Sequence, residues 1–491
     1  MKFLNPLSSA VQVILNGISL FIVYKRLTED LGLVLFGIWS LVLTINVSYP
    51  LFFTGIYGSL QRFLPEYLVL NVHQKKIGLI GSSFTVVFGI STIIIIILLS
   101  INSHILDNTK GSDLEFILST SLIHCVIFIV INSITLVLYA AFDGYNLVYI
   151  KNIILSIQSC LILLLIISVD SILSFHETTL IFMWSAIIAL ALAIFSTWLF
   201  LKIKPWELFH FNVNVLQSTK QYHINYFQSN LLGLLFEPIN KGMIFIFAGA
   251  SSVALYEMAS KFVLQGRTVL VSMVFSMMPM ISKKFTEDPI KIFKIYRFLF
   301  ITNFQLSIIT FSLIIIALPF LSLYWFNSVN ITFVNFSYLL IVGWFINNLC
   351  LPAFAVNSAT NGIKYNTHSS FTILLINIVL GSVFGLLGFA QYVVLSWIIA
   401  IIIGGIALII TYNKAHSLNN SININSVFQI AITVGFLFLY SWWSKNNVSI
   451  KNFKDIYWMP LIFFTSICIF LFGFNFKIIY QFITGKLKYE F

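Results

Sequence analysis

The sequence predicts an all-α polytopic membrane protein with about 14 transmembrane helices. Hydrophobic residues make up 59% of the 491 residues, charged residues make up only 9%, and apolar runs recur along nearly the whole chain. Soluble domains carry about 25% charged residues, so a chain this apolar has lipid as its solvent. An apolar run of about 20 residues crosses a bilayer as a helix, because a helix satisfies its own backbone hydrogen bonds.

The apolar runs divide the chain into two lobes. Their approximate limits are 8–24, 33–55, 77–101, 115–141, 147–168, 178–201, 224–249, 252–280, 298–325, 333–356, 368–388, 391–413, 425–443 and 456–476. We predict an N-terminal six-helix lobe over 1–201, a cytoplasmic linker over 202–223, a C-terminal six-helix lobe over 224–413, and two additional helices with a cytoplasmic tail over 414–491. Two lobes of equal, even helix number imply a parallel pseudo-repeat. The internal match is faint and aligns LFGIWSL at 35–41 with ALYEMAS at 254–260.

The distribution of Lys and Arg predicts the orientation. With the N-terminus inside, the cytoplasmic segments carry eighteen of these residues and the outer loops carry six. Cytoplasmic loops carry the excess of Lys and Arg in membrane proteins. We therefore predict a multi-pass protein of the cytoplasmic (inner) membrane with both termini cytoplasmic. The outer loop at 444–455 departs from the rule with three lysines, so the last two spans are the least supported.

Other classes of function find no support in the sequence. The net charge of +11 is spread over short loops without a basic block, which excludes a nucleic-acid partner. The cysteines, Cys125, Cys160, Cys350 and Cys468, lie inside apolar spans without metal-ligand spacing. The N-terminal apolar stretch lacks an Ala-x-Ala cleavage site and is interpreted as the first membrane helix. No phosphate loop, HExxH, GxSxG or CxxC motif occurs, so we predict no catalytic residue, no metal and no cofactor.

Charges inside the spans are concentrated in spans seven and eight. They are Glu237, Lys241, Glu257, Lys261 and Arg267. A charge at the bilayer centre costs at least about 2.5–3.5 kcal/mol, so we expect these side chains to face the protein interior or a water-filled cavity. Pro238 follows Glu237, removes a backbone hydrogen bond and is predicted to act as a hinge in span seven.

The spacing of these charges allows several pairings. Glu237 with Lys241, and Glu257 with Lys261, are separated by four residues with the acid first, the favourable order on a helix. Because the two spans run in opposite directions, Glu237 with Lys261 and Lys241 with Glu257 also lie at similar depths. These pairs serve either for ion coupling or simply to hold the helices together. Arg267 has no evident acidic partner and is favoured as a substrate contact.

Three segments resemble a known family. They are LGLVLFGIWSLVLTI at 31–45, GIYGSLQRFLPEY at 55–67, and GASSVALYEMASKFVLQGRTVLVSMVFSMMPMISK at 249–283. Helix number and order agree along nearly the full chain. The sequence is therefore similar to the polysaccharide-transporter, or Wzx-type, lipid-linked oligosaccharide (O-antigen) flippases of the MATE-like superfamily.

The resemblance implies an alternating-access flippase for a polyprenyl-diphosphate-linked oligosaccharide, used in surface polysaccharide (O-antigen or capsule) assembly with other assembly proteins as partners. Lys241, Lys261 and Arg267 would meet the anionic head group or sugar, and Glu237 or Glu257 would couple to an ion. Related lipid II flippases carry charges well inside their first two helices, whereas Lys25 and Arg26 lie at the outer end of span one. The alternatives are a multidrug/cation antiporter of the same fold and an enzyme of the membrane, such as a polysaccharide polymerase or an acyltransferase.

Overall fold

The computed structural model is all-helical over the residues it describes, which are 4–415 apart from 71, 109–112, 277–280, 282–290, 360–361 and 390–391. The helices are α1 Leu4–Ser48, α2 Thr54–Val69, α3 His73–Asn108, α4 Asp113–Gly144, α5 Val148–Ser168, α6 Phe175–Ser196, α7 Val213–Ser276, α8 Lys291–Phe326, α9 Ile331–Asn348, α10 Leu351–Ala359, α11 Ile363–Leu386 and α12 Val393–Ala415. Short 3₁₀ turns cover Tyr49–Phe53 and Pro205–Phe209, and a π-helical turn covers Thr197–Leu201.

The described part of the chain contains ten helical stretches that are long and apolar enough to cross a membrane. Two of them, Val11–Ser48 and Leu235–Phe275, are about twice the length of a single crossing and each contain two predicted spans. The ten stretches therefore account for the first twelve predicted spans, and the chain is a multi-pass membrane protein. The last two predicted spans, 425–443 and 456–476, lie outside the described residues.

Helix α1 is a hairpin of two helical arms. Gly32 has φ 71° and ψ 170°, a left-handed backbone conformation that interrupts the helical path and suits glycine. The ring centres of Tyr24 and Phe36 lie 5.0 Å apart, on opposite sides of this break. Twelve residues of straight helix would separate them by about 18 Å. The chain therefore turns back at Gly32, and the two arms pack against each other.

Helix α7 turns back in the same way. Gly249 has φ 78° and ψ 170°, and Lys241 forms an ion pair with Glu257 across the break. Sixteen residues of straight helix would hold these side chains about 24 Å apart. The backbone keeps helical dihedral angles through Pro238, and the departure lies at Gly249 instead. The predicted hinge at Pro238 is therefore not where the backbone of this conformation breaks.

Backbone contacts divide the chain into two units, Met1–Pro238 and Ile239–Phe491. The predicted lobe boundaries at 201 and 224 stay predictions. Within the first unit α1 packs on α5, α3 on α4, α4 on α6 and α5 on α6. Within the second unit α8 packs on α9, α9 on α12 and α11 on α12, and Gly381 of α11 lies against Met243 of α7. The same packing order in both units is what a parallel repeat requires.

The two glycine breaks define the register of this repeat. Aligning Gly32 with Gly249 pairs Trp39 with Tyr256, and both of these side chains are buried. It also pairs Ser40 with Glu257, whose side chains are both fully buried. This register differs by two residues from the faint sequence match of 35–41 with 254–260. The two halves of the repeat correspond in the position of the backbone break, whereas the residue types at equivalent positions differ.

Span ten, predicted as one helix over 333–356, is divided. α9 ends at Asn348, Leu349 and Cys350 form a turn, and α10 begins at Leu351. Pro352 is the second residue of α10, where the missing N–H of proline costs no helical hydrogen bond. The break lies next to Arg267, as described below, and so brings backbone polar groups close to the predicted site.

Candidate functional site

All five intramembrane charges lie on α7, inside the membrane-crossing stretch Leu235–Phe275. The structure brings three of them together in the hairpin. The Lys241 ammonium pairs with Glu257 Oε2, and Lys261 Nζ lies 3.6 Å from Glu257 Oε1. The Glu257 carboxylate thus lies between two cations, one from each arm.

Burial distinguishes the two lysines. The side chains of Lys241 and Glu257 are both 0% exposed, whereas the Lys261 side chain is 23% exposed. A buried ion pair loses much of its Coulombic gain to desolvation, but removing one partner leaves an uncompensated buried charge. Lys241 and Glu257 therefore join the two arms of the hairpin through a fully buried ion pair. Lys261, which has the longer contact and greater exposure, is the lysine of the pair that remains accessible to a ligand.

Glu237 and Pro238 lie one turn before Lys241 on the first arm, and both are half-buried. The predicted role of Glu237 in ion coupling and the predicted hinge role of Pro238 stay predictions.

Arg267 is held by α9 and not by a carboxylate. Its guanidinium carbon lies 4.1 Å from the ring centre of Trp344, and its Nη2 donates to Asn347 Oδ1 at 3.4 Å. Trp344 and Asn347 are three residues apart and therefore share one face of α9. Among the described residues no carboxylate forms an ion pair with Arg267, and its Nε lacks a hydrogen-bond partner. One face of the guanidinium is thus stacked, and its buried Nε is a donor whose hydrogen bond is not made.

Polar side chains stabilise the break between α9 and α10. Asn303 Nδ2 donates to the backbone oxygen of Asn348 at 2.7 Å, and Asn348 Nδ2 donates to Ser307 Oγ at 2.9 Å. Asn347 Nδ2 donates to the Ile401 carbonyl at 3.0 Å, which fixes the amide that receives Arg267. These bonds satisfy polar groups that a helix end leaves without partners. Neither Trp344 nor Asn303 was assigned to the site from the sequence.

Lys261 and Arg267 do not converge on one point. They are six residues apart on the same helical arm, which corresponds to about 9 Å along the axis and about 120° around it. A single small anion therefore cannot contact both side chains on a regular helix. The arrangement suits either a large anionic head group that extends along α7 or two separate contacts, of which Arg267 is the better enclosed.

The first unit offers a different kind of cavity. A groove of about 410 Å³ lies between α1 and α5. Its lining is uncharged and consists of Ser8, Val11, Leu15, Asn152, Ile153, Ser156, Ile157, Cys160, Leu161 and Leu164. An apolar groove of this type cannot stabilise a phosphate or a carboxylate. The candidate site for an anionic group therefore remains the Arg267 region of the second unit.

The fold has solved counterparts. The lipid II flippase MurJ in an inward closed conformation matches with a TM-score of 0.72 at 15% identity, over 97% of this chain and 99% of that chain. An inward-facing multidrug resistance MATE transporter of the MOP superfamily matches with a TM-score of 0.63 at 12% identity, over 83% and 96% of the two chains. A MOP superfamily transporter from Pyrococcus furiosus, described as having a binding pocket of reverse polarity, matches with a TM-score of 0.54 at 12% identity, over 84% and 93%.

No protein-family model and no curated protein sequence matches the chain. At these identities the solved structures show the fold alone, which is that of the MOP-superfamily transporters and flippases. The predicted all-α polytopic fold is confirmed.

Proposed function

We propose that this protein is a flippase that moves a polyprenyl-diphosphate-linked oligosaccharide from the cytoplasmic to the outer leaflet by alternating access. The observation that carries the proposal is Arg267, an intramembrane cation that is stacked on Trp344 and bonded to Asn347, with no carboxylate partner among the described residues. Keeping such a charge in a membrane span is costly, and intramembrane charges mark substrate pathways. An anionic substrate group offsets that cost.

The positive net charge of the site favours an anionic lipid-linked substrate over a cationic drug. Glu257 is neutralised by Lys241, so its carboxylate is not available to attract a cation. The five charges of α7 that lie inside the predicted spans sum to +1. Of the solved counterparts, MurJ is a flippase for a lipid-linked substrate, whereas the MATE structures belong to multidrug transporters. The positive site of this chain is the feature that supports the flippase.

The charges at the end of the first α1 arm support an oligosaccharide over lipid II. Arg26 Nε pairs with Asp30 at 2.8 Å, and its Nη2 donates to the backbone oxygens of Val169 and Ser171. Lys25 lies 3.9 Å from Glu29. These residues hold the α5–α6 connection in place, so Arg26 is engaged in local structure and not presented to a substrate.

The proposal includes the cell context. We place the protein in the cytoplasmic (inner) membrane with both termini cytoplasmic, because Lys and Arg concentrate in the segments assigned to that side. The pathway is surface polysaccharide assembly (O-antigen or capsule), with other assembly proteins as partners. The chain acts as a transporter and not as an enzyme. The following experiment distinguishes this function from that of a polymerase.

The test is a leaflet-resolved assay of lipid-linked oligosaccharide in cells that lack the protein. We expect the lipid-linked oligosaccharide to accumulate in the inner leaflet and surface polysaccharide to be lost. Complementation should restore surface polysaccharide. Single unpolymerised units in the outer leaflet would instead identify a polymerase. Accumulation of lipid II would assign the peptidoglycan precursor as the substrate.

Arg267 variants connect this assay to the site. Arg267→Ala should abolish complementation at normal abundance in the membrane, and Arg267→Lys should retain partial activity because it keeps the charge but loses the stacked planar fork. Arg297→Lys, an exposed arginine on α8, is the matched control and should complement fully. Full activity of Arg267→Ala would remove the observation on which the proposal rests.

A further inference from the structure

The segment that connects α6 to α7 is a preformed strap on the surface of α3. We define this strap as residues 202–212. The backbone N–H of Asn212 donates to Ser82 Oγ at 2.7 Å, which in turn donates to the Asn212 carbonyl at 3.3 Å. At Gly81 a Cβ atom would lie 2.5 Å from the carbonyl oxygen of His210 and 2.8 Å from that of Glu207. The glycine is therefore needed for this close approach, and the strap is fixed in place.

The outer surface of the strap is aromatic. Trp206 is 68% exposed, Phe209 is 53% exposed and Phe211 is 50% exposed. The strap follows directly on Leu201, the last residue of a membrane-crossing stretch. Tryptophan at such a position prefers the headgroup region of a bilayer, which accommodates both its apolar ring and its polar N–H, and the phenylalanine rings bury apolar surface just below that region. The three rings therefore have a reason to be exposed at this place.

Two lysines accompany the aromatic surface. Lys202 and Lys204 are exposed, whereas Ile203 between them is buried. Lys204 has extended backbone angles (φ −73°, ψ 148°), so its neighbours on either side point away from it. Lys204 Nζ also lies 5.2 Å from the ring centre of Trp206. The two ammonium groups and the indole thus share the outward surface of the strap.

The acidic residue of the strap does not cancel these charges at the surface. The Glu207 carboxylate accepts a hydrogen bond from the Lys204 backbone N–H at 2.7 Å, which closes the 3₁₀ turn Pro205–Phe209. The Glu207 carboxylate is therefore directed back to the backbone of the strap. The strap therefore presents two cations beside exposed rings at the end of a membrane span.

We propose that the strap binds the phosphate headgroups of anionic phospholipids in the leaflet that it faces. Lys202 and Lys204 contact the phosphate, and Trp206, Phe209 and Phe211 enter the layer of headgroups and upper acyl chains. Each basic residue near a membrane surface favours the binding of anionic lipid. The interfacial aromatics add apolar contacts with the acyl chains of the lipid, and a free phosphate has no acyl chains to make these contacts. This lipid is a bound component of the protein and not the transported substrate, so the inference does not depend on the proposed function.

The test uses purified full-length protein in a neutral detergent, titrated with phosphatidylglycerol or phosphatidylcholine and followed by thermal unfolding. We expect phosphatidylglycerol to raise the midpoint of unfolding and phosphatidylcholine to have little effect. The double variant Lys202→Gln/Lys204→Gln should weaken the apparent affinity for phosphatidylglycerol by about 10- to 30-fold. Trp206→Ala should weaken it as well, because the ring supports Lys204.

Lys364→Gln is the matched control. Lys364 is also exposed and also lies 5.2 Å from a ring centre, that of Tyr365, but it is not part of the strap. It should keep wild-type affinity for phosphatidylglycerol. Wild-type affinity in the double variant, equal loss in Lys364→Gln, or an equal response to both lipids would each overturn the proposal. An equal response to soluble glycerol phosphate would overturn it too, since the site would then not be a lipid site.

Discussion

At the scale of single residues, the pair Lys241–Glu257 differs from the other intramembrane charges because both side chains are fully buried. We interpret this pair as structural and Arg267 as the substrate contact. Lys241→Met removes the closer cation from the fully buried Glu257 carboxylate and keeps Lys261, which lies 3.6 Å away. The loss of one partner from a buried ion pair costs about 3–5 kcal/mol.

The corresponding prediction is a double-variant rescue. Lys241→Met should reduce the abundance of folded protein in the membrane, measured by fluorescence-detected size exclusion, and Lys241→Met/Glu257→Gln should restore it because both fully buried charges are then removed together. The rescued protein should still transport if the pair is structural. A rescued protein that is abundant but inactive would instead give one of these residues a direct role in substrate or ion binding.

At the scale of elements, two glycines decide the shape of the hairpins. Gly249 adopts φ 78°, which L-residues with a side chain rarely adopt, although a Cβ atom there would meet nothing within 4 Å. Gly249→Ala therefore isolates the cost of the backbone conformation, about 1–2 kcal/mol. The expected result is a lower midpoint of thermal unfolding in detergent, with a weaker Lys241–Glu257 contact as its structural cause.

Gly242→Ala provides the control for this prediction. Gly242 lies on the same arm of α7, and a Cβ atom there would also meet nothing within 4 Å, but it lies within regular helix. Alanine favours a helix interior over glycine by about 1 kcal/mol, so this variant should be neutral or more stable. If both variants lowered the midpoint equally, the break at Gly249 would not be the cause.

The hairpins also show what the sequence could predict. The apolar runs predicted the twelve spans that lie among the described residues, because an apolar segment in lipid has few alternatives to a helix. The ion pair between Lys241 and Glu257 was one of four pairings that spacing and depth allowed, and the sequence did not select among them. The cation–π contact of Arg267 with Trp344 was not foreseen, because an aromatic residue in a span is ordinary and its partner lies 77 residues away. The division of span ten at Leu349–Cys350 was missed because two polar residues, Asn347 and Asn348, do not by themselves end a membrane helix, and the break is supported by Asn303 from another helix.

At the scale of the whole molecule, the direction of transport depends on the orientation of the chain. The excess of Lys and Arg predicts that the connection before α7 lies inside and the connection between α8 and α9 lies outside. Two exposed positions report on these sides, Lys220 near the start of α7 and Ser328 between α8 and α9. Neither lies in the candidate site, so cysteine at either position should leave the fold intact.

We expect Ser328→Cys, in a cysteine-free background, to react with a membrane-impermeant maleimide in intact cells, and Lys220→Cys to react only after permeabilisation. Cys125 and Cys350 are buried in the native protein, so their replacement by alanine or serine is checked first by abundance in the membrane. The reverse labelling pattern would place the strap and its lysines on the outer side of the membrane. The proposed inner-to-outer direction of lipid movement would then also have to be reversed. Labelling of both positions in intact cells would indicate mixed orientation, and in that case the Lys and Arg excess would not determine the orientation of this chain.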